Sequence, residues 1–166
     1  HVDDELIYLF QAKYLLSGNL YVPAPPVPEA FEFYLLQVTD SRWFAVTPPG
    51  WSLVLAIGVA TYTSWLVNPV LAAISILLAH AFVRRTTNYG TANIVVLLMA
   101  VSPWFIAMSA SLMNHTITLT LTLASWLTLH VAKSNRSVLL SFLAGLFAGF
   151  LFFIRPLDGL VIGVLT

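Results

Sequence analysis

Beyond Pro49 the chain is a series of apolar runs holding a single acidic residue, Asp158, and that pattern limits the fold more than any motif does. The runs cover roughly 50–66, 69–83, 92–112, 115–132 and 137–154, and a sixth begins near Leu157. A helix needs about 20 apolar residues to cross the hydrocarbon of a bilayer, and about 15 is marginal. Soluble domains are about a quarter charged, whereas this chain of 166 residues is 8% charged and 59% hydrophobic. The runs therefore need lipid as their solvent. The expected fold is an all-α membrane protein, with a polytopic transmembrane helix bundle over 50–166 and a first loop over 1–49.

Within that loop, residues 3–17 set Leu6, Ile7, Leu9, Phe10, Tyr14 and Leu15 among acidic, amide and basic residues at helical spacing. This predicts an amphipathic helix lying at the membrane surface, ended by Gly18-Asn19. Pro23, Pro25, Pro26 and Pro28 then impose extended backbone. An aromatic stretch (Phe31, Phe33, Tyr34) and a turn at Asp40-Ser41 follow, too bulky in composition for disorder. Farther on, Thr116 to Leu123 alternates threonine with leucine or isoleucine, which in isolation reads as a strand. An open strand edge is prohibitive in lipid, while threonine hydroxyls in a helix bond back to their own backbone, so a helix is predicted there.

Charge placement sets the expected orientation. Arg84-Arg85 and the pair Lys133 and Arg136 lie two crossings apart, hence on one face, which the basic-residue rule makes cytoplasmic. Six of the seven acidic residues (Asp3, Asp4, Glu5, Glu29, Glu32, Asp40) fall in the first forty positions. With this acidic head on the outer face, 50–66 is not a full crossing but re-entrant or interfacial; the alternative is a full span with the head in the cytoplasm. The outer face then also collects Met113-Asn114-His115-Thr116 and the Arg155-Pro156-Leu157-Asp158 corner, and ionisable groups at such helix ends line sites or aqueous cavities. The formal net charge is zero and the basic residues are scattered, which argues against a nucleic-acid partner. Cysteine is absent, so thiolate chemistry is excluded. The chain opens at His1 and closes at Thr166 inside an apolar run, as a fragment would.

Asp3-Asp4-Glu5 is the sharpest cluster. Three successive carboxylates repel one another and suit proton abstraction; the competing reading is an acidic helix start favoured by the macrodipole. Arg155, between Ile154 and Pro156 at the outer end of a run, presents a guanidinium suited to bidentate phosphate binding, or else pairs with Asp158. Arg42 is a second phosphate candidate. His115, beside Asn114, is a substrate or metal contact or simply a hydrogen-bonded helix end, and no spaced His/Asp/Glu set completes a metal site around it. His80 and His130 read as structural, and Gly145 with Gly149 as a small-residue face for close helix packing.

Asp4-Glu5-x-x-Tyr8 with Ala12 and Gly18 downstream, then Pro48-Pro49-Gly50 opening an apolar run and Arg155-Pro156 closing another, resembles the GT-C glycosyltransferases. The branch it is similar to contains the protein O-mannosyltransferases and the aminoarabinose transferases of lipid A. The resemblance implies a fragment of a larger GT-C fold, lacking an upstream helix, in the cell membrane of a bacterium or archaeon. It implies a glycosyltransferase that moves a sugar from a polyprenyl-phosphate-linked donor to a lipid, glycan or protein acceptor on the extracytoplasmic face. Asp4 would be the base and Glu5 would orient it or bind the sugar, with Asp3 a lesser candidate. Arg155, Arg42, Tyr8, His115 and Asn114 would contact lipid phosphate or sugar, and a divalent metal ion is a possible cofactor. The lysine that many relatives carry before the Pro-Pro step is absent, since Val46 and Thr47 stand there. The alternative is a non-enzymatic transporter or channel segment, which would place carboxylates inside the spans.

Overall fold

The structure is a computed structural model that describes residues 3–31 and 33–165. It divides into two compact units, residues 3–67 with 111–113 and residues 68–110 with 114–165.

In the first unit, α1 (Asp3–Leu16) opens on three acids that complement its positive N-terminal end and carries Lys13 in its last turn. It stops where the sequence indicates. Gly18 takes φ +75°, and the N–H groups of Gly18 and Asn19 donate to the carbonyls of Leu15 and Tyr14 at 2.9 and 3.0 Å. Its buried face differs from that of a simple amphipathic helix: Glu5 and Gln11 are buried with Ile7, Tyr8, Ala12 and Tyr14, while Leu6 and Leu16 are exposed. The cause is hydrogen bonding. Gln11 Nε2 donates to the Thr47 carbonyl at 3.0 Å, and its Oε1 accepts from Ser52 Oγ at 2.6 Å and Thr47 Oγ1 at 3.1 Å, which ties α1 to α2 (Gly50–Ala60).

The proline-rich stretch is extended, as expected, but the loop also forms a small antiparallel sheet. Its strands are β1 (Val22–Pro23), β2 (Leu36–Val38) and β3 (Arg42–Ala45), in the order β1-β3-β2. The turn at Asp40-Ser41 joins β2 to β3, pairing Leu36 with Ala45 and Val38 with Trp43. Pro23 sits on the edge strand β1, where its missing N–H removes no ladder bond from a central strand.

The run 50–66 is not one helix. α2 ends at Ala60, Tyr62 adopts a left-handed φ of 57°, and α3 (Ser64–Thr86) starts after it. At 1.5 Å per residue α2 reaches only about 16 Å, roughly half a hydrocarbon core.

The second unit holds the rest of α3, then α4 (Tyr89–Val101), α5 (Pro103–Ser109), α6 (His115–Asn135), α7 (Val138–Ile154) and α8 (Pro156–Leu165). The run 92–112 is broken, with α4 and α5 meeting at 64°. Ser102 is extended and caps α5, accepting from Phe105 N–H, and Pro103 occupies its first turn. α6 is helical through its threonine alternation: Thr118, Thr120 and Thr122 donate to carbonyls four residues back at 2.8, 2.8 and 2.9 Å. Thr120 also meets Ser75 of α3 at 2.8 Å, and Ser125 donates to the Ala144 carbonyl of α7 at 3.0 Å. Among the described residues α3 is long and apolar enough to cross a membrane, and so is the bent α4–α5 pair taken together; α2, α7 and α8 are apolar but shorter. A Cβ at Gly145 or Gly149 would meet nothing within 4 Å, so the close packing expected there is not made among the described residues.

Candidate active site

The first turn of α1 gives its three acids three environments. Asp3 is exposed, Asp4 half-buried and Glu5 only 4% exposed. Glu5 Oε1 accepts the Leu112 N–H at 3.1 Å, and Trp51 Nε1 donates to the Leu112 carbonyl at 2.8 Å. Both backbone groups of Leu112 are thus held within the first unit, fixing the short 111–113 segment against α1 and α2. Tyr8 is buried one turn after Asp4.

Asp4 Oδ1 accepts a short hydrogen bond from the Tyr34 hydroxyl. This bond and the nearby negative charge push the Tyr34 phenol above its ordinary 10.0: the bond to Asp4 is the largest cause, then desolvation, then repulsion from Asp4 and Asp3. Sequence reading placed Tyr34 only in an aromatic stretch, and nothing in its spacing from Asp4 signals the contact. A cleft of about 270 Å³ beside α1 is lined by Asp3, Leu6, Ile7, Phe31, Phe33 and Trp43, among others.

Arg42 opens β3 and is exposed. Its guanidinium lies 4.7 Å from the centre of the Tyr21 ring, a cation–π contact that steadies one face of the group. Glu32 lies outside the described residues.

In the second unit the corner between α7 and α8 builds a polar cluster. Arg155 is extended and caps α7, its N–H bonded to the Leu151 carbonyl at 2.8 Å, and Pro156 opens α8. Arg155 Nε pairs with Asp158 at 2.8 Å, and Arg155 Nη1 lies 3.2 Å from His115 Nδ1. A guanidinium only donates, so Nδ1 accepts and the His115 proton sits on Nε2. The pairing with Asp158 foreseen as an alternative to phosphate binding is thus formed. His115 also lines a small cleft of about 180 Å³ with Trp104, Phe105, Met108, Thr116 and Leu119. Asn114 is buried before α6 without a side-chain cap to that helix. Among the described residues no three His, Cys, Asp or Glu side chains gather to hold a metal ion.

These features define an apolar, mostly helical protein with a folded polar head and basic and acidic groups at helix ends. The model of the dolichyl-phosphate-mannose-protein mannosyltransferase family matches residues 34–165, and the chain belongs to that family. It is therefore a membrane glycosyltransferase of the GT-C superfamily using a polyprenyl-phosphate-linked sugar donor, which favours the enzyme over the transporter reading. The match includes Tyr34, Arg42, His115 and Arg155 and begins after Asp4 and Glu5. No curated protein and no solved structure matches the chain.

Proposed function

We propose that the chain is the catalytic part of a multi-pass enzyme transferring a sugar to a lipid, glycan or protein acceptor on the extracytoplasmic face of its membrane, with Asp4 as the base. Asp4 takes the proton of an acceptor hydroxyl, and the freed oxygen attacks the anomeric carbon. The bond from that carbon to the phosphate oxygen breaks, and polyprenyl phosphate leaves with the electron pair. Phosphate is already a stable anion, so it needs charge stabilisation and no general acid, unlike the alkoxide leaving group of a glycoside hydrolase. In this reading Arg155 is the phosphate contact, with Arg42 a second.

The observation that carries the proposal is the family match over 34–165, which supplies the donor class. The base assignment is supported by the difference among the three acids: Glu5 is buried and occupied by Leu112 N–H, Asp3 is exposed, and Asp4 alone is half-buried with a defined partner. Glu5 then acts by holding the 111–113 segment, three residues in sequence before His115 at Leu112, rather than by touching sugar. The test is Asp4→Asn in the full-length protein, assayed with radiolabelled polyprenyl-phosphate mannose and membrane acceptors. Insertion should be normal and transfer should fall by about 10² or more; near-normal turnover removes Asp4 from the role.

A further inference from the structure

The geometry points to Tyr34 as the residue that positions the Asp4 carboxylate, holding one of its oxygens so that the other faces the acceptor hydroxyl. This inference rests on the reading of Asp4 as the base.

Tyr34 reaches Asp4 across 30 residues of chain, and its backbone is fixed on both sides. Leu36 N–H donates to the Phe33 carbonyl at 2.9 Å, closing a turn over 33–36 with Tyr34 at its first central position. Val46 N–H donates to the Leu35 carbonyl at 3.0 Å, tying the other side of the turn to the end of β3. The Phe33 and Tyr34 rings lie 4.6 Å apart at 52°, which limits how far the phenol can swing. The tyrosine is itself 69% exposed, so burial does not explain its placement. What the arrangement fixes is the carboxylate. Asp4 sits in the first turn of α1, where its side chain has two rotatable bonds, and a hydroxyl donated to Oδ1 selects one of its orientations. A base held in one orientation delivers more of the advantage of proximity than one that samples several, and small misplacements are costly.

Tyr34→Phe removes the hydroxyl and keeps the ring. In the full-length protein, with polyprenyl-phosphate mannose as donor, kcat should fall on the order of tenfold with donor KM unchanged. A purely structural role would move KM or the amount of folded protein instead. The contact is read separately, by placing 3-fluorotyrosine at position 34 and following its fluorine signal with pH. Asp4→Asn should shift the titration of that phenol downward.

If Asp4→Asn is inactive while Tyr34→Phe keeps the normal kcat, the positioning role is wrong and the base assignment stands. If Asp4→Asn turns over normally, the base assignment falls and takes this inference with it. Should Tyr34→Phe fail to fold, the fluorine titration decides: a signal indifferent to Asp4→Asn overturns the proposal.

Discussion

Glu5 and Asp4 are neighbours in sequence, and the helix turns them into different devices. A helical step of about 100° carries Glu5 onto the buried stripe with Tyr8 and Ala12 and leaves Asp4 at its edge. Glu5→Ala removes the acceptor for Leu112 N–H and should cost about 1–3 kcal/mol. Glu5→Gln keeps an acceptor oxygen and should cost less; thermal unfolding of the two variants in detergent measures the difference, and equal loss would show that charge rather than acceptance matters. Tyr34 supplies a pH dependence. Its folded pKa lies above the unfolded 10.0, so folding favours the neutral phenol. The hydroxyl's contribution is therefore complete below pH 10 and disappears as pH rises through the folded value. The stability gap between the wild type and Tyr34→Phe should accordingly stay constant up to about pH 10 and close above it, as followed by unfolding midpoints across that range. Asp4, Glu5 and Tyr8 stand out by their order and spacing, and the family match begins after them. Tyr34 was not, because its contact depends on a turn and a β-hairpin returning the chain to α1, and no local periodicity encodes that distance.

At the scale of elements, the apolar runs announced the helices well and their breaks poorly. Ser102-Pro103 carried a readable signal, since serine before a first-turn proline marks a helix start. A long apolar run masked it. Tyr62 carried none: tyrosine rarely takes a left-handed φ, and only the close turn from α2 into α3 demands it here. The small sheet escaped because its strands are two to four residues long, too short for alternation to register. The α7–α8 corner that holds Arg155 depends on a glycine whose role was equally hidden. A Cβ on Gly159 would lie 2.2 Å from Phe152 Cα and 2.3 Å from its backbone nitrogen, so α8 cannot fold back on α7 with any side chain there. Gly159→Ala should destabilise the protein by at least about 1–3 kcal/mol and weaken transfer through displacement of Arg155. Gly145→Ala, with open space around its Cβ, should instead be neutral or stabilising by up to about 1 kcal/mol. Thermal melts of the pair in detergent separate the two expectations.

For the whole molecule, the proposed sidedness rests on charge rather than on any single contact. Acids crowd the first forty residues, and the basic residues of Arg84-Arg85, Lys133 and Arg136 flank helix ends farther along. Lysine and arginine near span ends resist translocation, whereas acids contribute little to orientation, so the proposed orientation rests on the basic ends. Helix length limits what can be read of the crossings: α3 is long and apolar enough to cross a membrane, whereas the 11-residue α2 is not. These 166 residues contain no cysteine, so with any cysteine elsewhere in the full-length protein changed to serine, single cysteines report without background. Glu29→Cys, in an exposed turn of the head, should react with a membrane-impermeant maleimide in intact cells. Ser134→Cys, exposed near the end of α6 between Lys133 and Arg136, should react only after permeabilisation. Labelling of both from outside would make the number of crossings between them even. Labelling of the head only after permeabilisation would place Asp4 in the cytoplasm and end the extracytoplasmic reading of the reaction.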